Sequence, residues 1–272
     1  MRKNDRLFTG SIAELYDRYM VPMLFAPYAP ALAERVRAVS PQRVLETAAG
    51  TGVLTKALLE ALPSLAEITA TDLNEPMVAY GTQHVVDPRV RWSIADAQAL
   101  PFDDHTFDVV VMQFGVMFLP DPLRAFSEAR RVLRDDGTFV FSVWDDLTHN
   151  DFARVTHEAV KAYFPTDPPQ FIARTPHGHS NVVELERILR DAGFPRTDVE
   201  PIEARSHAAS PRHPAVGFCQ GSPLRNEILE RDPGALDDVT DAAAAALATA
   251  FGEGAIEGEM RAYVLTSRRS SA

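Results

Sequence analysis

A short apolar strand that runs into an acid and then into a loop of very small residues is the feature that most constrains this chain. Residues 44–52 read VLETAAGTG, in which Glu46 follows an apolar pair and the small residues lead into a helical pattern. A second acid, Asp72, ends the next apolar run, 20 residues after Gly52. Small residues let the backbone approach a ligand closely, and an acid at this spacing is typical of a group that binds ribose. The pattern therefore predicts a nucleotide-type ligand site at the mouth of a parallel sheet.

The charge of Glu46 distinguishes between the candidate ligands that contain a ribose. In a dinucleotide-binding enzyme this position faces pyrophosphate, which a carboxylate would repel. The glycine spacing of such enzymes also fails, because Thr55 stands where the third glycine of G-x-G-x-x-G belongs. A carboxylate instead attracts a cation, and S-adenosylmethionine (SAM) combines a ribose with an ammonium and a sulfonium and has no phosphate. An NAD(P) oxidoreductase on a doubly wound sheet is therefore the disfavoured alternative.

Strand and helix patterns alternate between residues 40 and 144. The predicted strands are 43–47, 67–72, 90–95, 107–113 and 137–144, and the predicted helices are 52–62, 75–83 and 122–134. This alternation indicates βαβ units and a parallel sheet, and the continuous apolar run 109–112 suits a strand covered on both faces. The chain therefore predicts an α/β fold of the Rossmann-like, doubly wound type.

Outside this alternating part the pattern changes, and we expect six segments. Residues 11–39 look helical in two pieces divided by prolines, whereas 145–180 and 207–255 look irregular apart from an alanine-rich helix at 241–251. The predicted segments are an N-terminal helical segment over the cofactor (1–39), a SAM-binding core (40–144), an insertion or lid (145–180), the continued core (181–206), a second insertion (207–255) and the last core strand with a tail (256–272). We interpret the two insertions as a cap over the carboxyl edge of the sheet.

Four stretches of the chain carry a family resemblance. They are VLETAAGTG (44–52), ATDLNEPMV (70–78), IADAQALPFDDHTFDVV (94–110) and QFGVMFLPDPLRAFSEARRVLRDDGTFVF (113–141). In this order they resemble the class I SAM-dependent methyltransferases, most closely the small-molecule branch with quinone-precursor and related C/O-methyltransferases. The resemblance implies a seven-stranded sheet with an antiparallel last strand, SAM as the cofactor and methyl transfer to a small-molecule acceptor. O-methylation is favoured over C- or N-methylation.

The resemblance also implies roles for individual residues. Glu46 would engage the methionine part of SAM, Asp72 would accept hydrogen bonds from both ribose hydroxyls, and Asp96 would bind the adenine amino group. The other predicted cofactor contacts are Tyr16, Ala48, Gly50, Gly52, Leu73, Met77, Ala97, Gln113 and Phe114. Phe8 and Tyr19 either help to close the site or pack the N-terminal helix on the sheet. The structural alternatives are a cap for each acid and plain packing for each apolar residue.

One position departs from the family pattern. The family usually has glycine where Ala48 stands, and alanine disfavours the positive φ that glycine adopts readily. We therefore expect the loop to follow a slightly different path at Ala48 and SAM to bind more weakly. Gly50 and Gly52 are retained.

Residues for catalysis are less well defined than those for the cofactor. His149, His177 and His179 are weak candidates for a general base, because they lie in or near the first predicted insertion. Solvated surface histidines are the more frequent alternative, and an acceptor with an acidic hydroxyl needs little help from a base. No histidine spacing typical of a metal site accompanies them, so no metal is expected.

Bulk composition disfavours several classes of partner. The 272 residues carry a formal net charge of −11, and phosphate contacts need clustered Lys and Arg, so a nucleic-acid partner is not expected. The single Cys219 excludes an intramolecular disulfide and a cysteine-based metal cluster. The first residues show no signal-peptide run, and no basic amphipathic helix indicates a membrane. We therefore expect a cytoplasmic protein, monomeric or homodimeric, that acts on a small molecule.

A non-enzymatic protein is the remaining alternative. The departure at Ala48 and the absence of an evident base also fit a catalytically silent protein that binds SAM or its product as a sensor or scaffold. Turnover of phenols, quinols or amines would distinguish an active methyltransferase from such a protein.

Overall fold

A computed structural model describes residues 12–269, so Phe8 lies outside the described residues. The strands are Arg43–Thr47 (β1), Glu67–Asp72 (β2), Val90–Ile94 (β3), Phe107–Gln113 (β4), Leu133–Trp144 (β5), Thr197–Ala208 (β6) and Ile256–Arg268 (β7). They form one seven-stranded sheet in the order β3-β2-β1-β4-β5-β7-β6. Strands β1 to β5 pair in parallel, whereas β7 is antiparallel to β5. The predicted doubly wound α/β fold with an antiparallel last strand is confirmed.

Helices connect most of the first five strands and dominate the rest of the described chain, whereas β3 leads to β4 without a helix. The α-helices are Ile12–Leu15 (α1), Ala29–Arg37 (α2), Val53–Ala61 (α3), Glu75–His84 (α4), Pro122–Val132 (α5), Asp151–Tyr163 (α6), Phe171–Arg174 (α7), Val182–Asp191 (α8), Arg212–Gln220 (α9), Leu224–Arg231 (α10) and Leu236–Phe251 (α11). Tyr16–Phe25 is a π-helix, and Val116–Phe118 and Leu147–His149 are short 3-10 helices. No helix among residues 12–269 is long and apolar enough to cross a membrane.

The connection from β4 to β5 shows how local sequence determines these elements. Asp121 caps α5 by accepting a hydrogen bond from the backbone N–H of Arg124 at 3.1 Å, and Pro122 occupies the first turn, where a missing N–H costs nothing. Phe126 and Ala129 lie on the apolar side of the helix and are buried. The helix therefore forms because a capped start precedes an amphipathic pattern.

The core beside the sheet is rich in phenylalanine. Phe139 lies on β5 with its ring centroid 5.4 Å from that of Phe126, 5.0 Å from Phe141 and 5.8 Å from Phe194. These four rings are fully buried, and Leu189 of α8 belongs to the same cluster. Rings at these separations contribute packing energy beyond their buried area. The cluster packs β4, β5, α5 and α8 against one another.

The two regions expected to be irregular are instead largely helical, which is a correction. Region 145–180 contains α6 and α7, and region 207–255 contains α9, α10 and all of α11. In α6 the buried side chains are Phe152, Ala153, Thr156, His157 and Val160. They recur at helical spacing, so tertiary packing of one face stabilises a helix that also contains polar and β-branched residues. Prolines lie outside these helices except for Pro214, which is in the first turn of α9, where proline is tolerated.

The described chain divides into two compact units. The first unit contains 12–27, 145–178 and 203–261, and the second unit contains 28–144, 179–202 and 262–269. Inside the first unit, Phe152 of α6 packs against Phe251 of α11 with centroids 5.3 Å apart. The second unit holds β1 to β5 and the phenylalanine core. Strands β6 and β7 contribute residues to both units.

Candidate functional site

Glu46 is a buried acid near the carboxyl end of β1. Glu46 is 1% exposed, and its Oε2 atom accepts a hydrogen bond of 2.6 Å from the hydroxyl of Thr55 in α3. Burial raises the pKa of Glu46 to about 8, and the charge of Asp72 adds to this rise. At neutral pH the carboxyl is therefore mainly protonated, and a cation placed beside it would favour ionisation.

Asp72 is the last residue of β2 and connects two loops. Its Oδ2 atom accepts a hydrogen bond of 2.9 Å from the backbone N–H of Gly50, and its Oδ1 atom accepts one of 2.8 Å from the N–H of Asn74. Burial raises the pKa of Asp72, while these backbone donors act in the opposite direction. A carboxylate has about four lone-pair positions. Asp72 can therefore hold the loop after β1 and still accept hydrogen bonds from a ligand.

The loop between β1 and α3 passes through three left-handed positions. Ala48 has φ 53°, Gly50 has φ 57° and Gly52 has φ 93°. The expectation that alanine would avoid a positive φ is wrong, because Ala48 takes the left-handed conformation itself. Gly115 makes room for it, since a Cβ atom on Gly115 would lie 2.7 Å from the Cβ of Ala48. The loop therefore accommodates alanine at the cost of local strain.

Two glycines face the indole of Trp92 on β3. A Cβ atom on Gly52 would lie 3.1 Å from the ring, and one on Gly81 in α4 would lie 2.4 Å from it. Both distances are too short for an unstrained contact. Trp92 therefore requires small residues at both positions, which explains a glycine in the interior of a helix, where glycine is unfavourable.

The adenine-binding candidates follow β2 and β3. Met77 is buried in α4, whereas Leu73 is 43% exposed directly after β2. Asp96 begins a turn in which its Oδ1 atom accepts a hydrogen bond of 2.9 Å from the N–H of Gln98. Ala97 lies within that turn. These positions place one exposed apolar side chain and one acid at neighbouring strand ends, since β2 and β3 pair in parallel.

The end of β4 turns sharply after Gln113. Phe114 has φ 52°, and its N–H donates a hydrogen bond of 3.1 Å to the hydroxyl of Ser142 on β5. The Phe114 ring stacks on Trp144, with centroids 3.9 Å apart and an interplanar angle of 10°. Together, β4 and β5 present an aromatic pair at their carboxyl ends, the edge at which parallel sheets bind ligands.

Residues 45–141 match the family model described as a methyltransferase domain. A ubiquinone/menaquinone biosynthesis C-methyltransferase from Burkholderia thailandensis is 40% identical over 162 residues, which are 56% of this chain and 67% of that enzyme. The chain belongs to the class I SAM-dependent methyltransferases. The family, its SAM cofactor and its small-molecule branch are therefore confirmed as the four motifs indicated.

Two further comparisons show the breadth of relatives of this methyltransferase. A malonyl-[acyl-carrier protein] O-methyltransferase from Geobacter sulfurreducens is 40% identical over 114 residues, and the alignment spans 42% of the length of each protein. A structure of phosphoethanolamine N-methyltransferase 2 from Haemonchus contortus, with S-adenosylhomocysteine bound, superposes with a TM-score of 0.63 at 17% identity. That superposition covers 98% of this chain and 59% of the other, and at this identity it supports the fold alone.

The other predicted site residues are distributed over both units of the methyltransferase. All predicted cofactor contacts except Tyr16 belong to the second unit. Tyr16 lies in the first unit and stacks on Phe25, with centroids 5.1 Å apart. His149 and His177 belong to the first unit and His179 to the second.

His177 is the most constrained of the three candidate bases in the methyltransferase. Its Nδ1 atom lies 2.7 Å from the carbonyl oxygen of Asp145, and it is 8% exposed. A carbonyl oxygen only accepts hydrogen bonds, so the proton resides on Nδ1 and Nε2 carries the lone pair. Burial lowers the pKa of His177 to about 4. The imidazole is therefore neutral at physiological pH. Within residues 12–269, no group of three or more His, Cys, Asp or Glu side chains is arranged to hold a metal ion.

Several neighbours of the site were missed by sequence reasoning. Thr55 binds Glu46, Asn74 binds Asp72 and Ser142 binds the backbone of Phe114. Ser142 had a usable signal, because it is the one hydroxyl within the apolar run FVFSVW of β5. The sequence gives no such signal for Thr55, because a threonine in the first turn of a helix is common and its partner Glu46 lies on another element.

Proposed function

We propose that this methyltransferase transfers the methyl group of SAM to an oxygen atom of a small-molecule acceptor. The observation that carries the SAM part of the proposal is the pair of buried acids, Glu46 and Asp72, at the carboxyl ends of two adjacent parallel strands. The relatives include both a C-methyltransferase and an O-methyltransferase, so the oxygen acceptor is our proposal for this chain.

Asp72 is proposed to bind the ribose of SAM. Its oxygens accept backbone hydrogen bonds of 2.9 Å from Gly50 and 2.8 Å from Asn74, and Oδ1 accepts a third of 3.3 Å from the side-chain amide of Asn74. These bonds orient the carboxylate and leave a lone pair on Oδ2 for one ribose hydroxyl, while the second hydroxyl would replace the longer bond from the Asn74 amide on Oδ1. The donor at Gly50 belongs to the loop after β1, so the same carboxylate would connect the loop to the ligand. The chemistry of this acid therefore fits a ribose.

Glu46 is proposed to face the cationic methionine end of SAM. The carboxyl is 1% exposed, so a cation beside it would be attracted in surroundings of low dielectric. Thr55 fixes one of its oxygens by the 2.6 Å hydrogen bond. Leu73, Met77, Asp96 and Ala97 would then surround the adenine, the first two following β2 and the last two following β3.

Orientation and exclusion of water are the main contributions we expect from this chain to the reaction. SAM supplies an activated methyl group when it is bound, so the acceptor oxygen needs alignment more than it needs activation. Gln113, Phe114 and Trp144 lie at the ends of β4 and β5, and two of them form an apolar stack. We propose that this buried stack supports the site near the reacting methyl and keeps water away from it.

Calorimetric titration with S-adenosylhomocysteine tests the cofactor site. We expect binding to the wild type, a loss of at least about tenfold in affinity for Asp72→Ala, and no change for the exposed control Asp103→Ala. Equal affinities for all three proteins would contradict the ribose assignment. No binding to the folded wild type would contradict the proposed function as a whole.

Turnover against a panel of phenols, quinols, enols and amines tests the acceptor. We expect methylation of a hydroxyl, localised by fragmentation mass spectrometry or by NMR of the product. A methyl group found on carbon or nitrogen would overturn the oxygen assignment. Binding of S-adenosylhomocysteine without any turnover across the panel would favour a sensor or scaffold.

A further inference from the structure

Phe114 has an unusual backbone for its residue type. Its φ of 52° lies in the left-handed region, which side chains with a Cβ atom rarely adopt because of steric cost. Among residues 12–269, only Ser40, Ala48, His105 and Phe114 share a positive φ without being glycine. Such strain persists only where neighbouring groups over-determine the conformation, and it concentrates at functional sites.

Ser142 contacts the backbone at this turn through a hydrogen bond. Gln113 is the register partner of Ser142 in the parallel pair of β4 and β5, so Phe114 is the first residue beyond the paired segment. Its N–H donates to the Ser142 hydroxyl at 3.1 Å rather than to a backbone carbonyl of β5. Ser142 is fully buried, and the neighbouring residues Phe141 and Val143 are fully buried too. The hydroxyl therefore has a specific backbone partner at a buried position, with Gln113 and Val264 as its register neighbours on the two flanking strands.

The left-handed turn determines where the Phe114 ring lies. The ring stacks on Trp144 at 3.9 Å, and the edge of Tyr28 packs against both rings at centroid distances of 5.4 Å. Phe114 is 4% exposed and Trp144 is 5% exposed. A change of φ at Phe114 would move the ring off Trp144 and redirect the peptide group that follows Gln113.

We infer that Ser142 is a positioning residue for the methyltransferase site and acts through the backbone of Phe114. Its hydroxyl keeps Phe114 left-handed, so that the buried stack of Phe114 and Trp144 holds the end of β4 in a fixed position beside SAM. This inference rests on the proposed function, because it takes the carboxyl end of β4 as part of the cofactor site.

Replacement of Ser142 by threonine and by valine provides a matched pair. The two side chains have the same shape, and only threonine retains the hydroxyl. We expect Ser142→Thr to bind S-adenosylhomocysteine within about threefold of the wild type and Ser142→Val to bind about tenfold more weakly, a factor that corresponds to about 1.4 kcal/mol. Ser142→Ala is the second test if the added methyl group prevents folding, and we expect it to behave as the valine variant does.

Tryptophan fluorescence detects movement of the Phe114 ring relative to Trp144 without a ligand. The chain has two tryptophans, so Trp92→Phe leaves Trp144 as the only reporter. In that background we expect the emission of Trp144 to shift in Ser142→Val and Ser142→Ala and to be retained in Ser142→Thr. Tyr28→Phe is the control, because it alters the same aromatic cluster and leaves the hydrogen bond between Ser142 and Phe114 in place.

The outcomes separate the inference from the function on which it rests. If the wild type does not bind S-adenosylhomocysteine, the proposed function fails. If the wild type binds and the valine and alanine variants bind equally well, Ser142 is not a positioning residue. Equal weakening of the threonine and valine variants, with an unchanged alanine variant, would also overturn the inference, because side-chain volume would then be the cause.

Discussion

Ionisation of Glu46 should couple cofactor binding to pH. Burial raises its pKa to about 8, so the carboxyl is mainly protonated at neutral pH. If the cationic methionine end of SAM binds only when Glu46 is ionised, the fraction of protein with an ionised Glu46 rises from about 3% at pH 6.5 to about 50% at pH 8. The apparent Kd of the wild type for SAM then falls about 15-fold over this range. Binding near pH 7 should release close to one proton per ligand.

Calorimetry in two buffers of different ionisation enthalpy measures both quantities. The matched control is Glu46→Gln, which has nearly the same shape and does not titrate. Since the ligand is the same in both titrations, any pH dependence that belongs to the ligand appears in both proteins and cancels. A wild-type Kd that stays constant between pH 6.5 and 8, or that varies as in the glutamine variant, would refute the reasoning.

The same pKa predicts the pH dependence of stability without ligand. In the unfolded chain Glu46 ionises near its usual pKa of 4.5, whereas the folded protein retains the proton up to about pH 8. Between these values the folded state binds the additional proton, so the free energy of unfolding falls by about 1.4 kcal/mol per pH unit as pH rises. Stability from Glu46 is therefore fully present below pH 4.5 and lost as pH passes 8. Denaturant titrations of the wild type and Glu46→Gln should diverge over this range, with the variant the more stable at pH 8.

Three stability predictions follow from close packing near the site. The Tyr28 hydroxyl is buried and has no hydrogen-bond partner within the described chain, so Tyr28→Phe should raise the free energy of unfolding by about 1 kcal/mol in urea titrations. Gly115→Ala should lower it by about 1–3 kcal/mol because the new methyl group meets Ala48, and Ala48→Gly should restore part of this loss in a double-mutant cycle. Gly81→Ala should destabilise by a similar amount through contact with Trp92, although alanine favours helices; a more stable variant would show that the indole moves away freely.

Much of the fold could be predicted because its signals are local. The strands β1 to β4 and the helices between them follow from apolar runs, caps and small-residue loops that lie within a few positions of each other. The placement of Asp72 at the end of β2, on the same edge of the sheet as Glu46, could be predicted in the same way, since parallel strands end at one edge. The matching elements of the structure differ from these expectations mainly at their ends, where β5 begins at Leu133 rather than near 137.

What could not be predicted depends on partners that are distant along the chain. The helix α6 is stabilised by packing of one buried face, so its polar composition concealed it. The left-handed backbone of Phe114 depends on a hydroxyl 28 residues away. The positive φ of Ala48 depends on the missing side chain of Gly115. Sequence patterns indicate the conformation that a residue prefers, whereas these residues adopt conformations that neighbours distant in sequence impose.

The position of β7 in the sheet has a consequence for synthesis of the chain on the ribosome. This strand follows every other strand in sequence, yet it lies inside the sheet between β5 and β6. Until it emerges, the backbone groups of β5 that later pair with residues 262–268 have no antiparallel neighbour, and this edge includes the apolar run Phe139–Trp144. An exposed apolar edge is prone to pair with other chains. Nascent chains that stop before Ile256 should therefore aggregate, and a chaperone that shields β5 until β7 is made would raise the yield of folded protein.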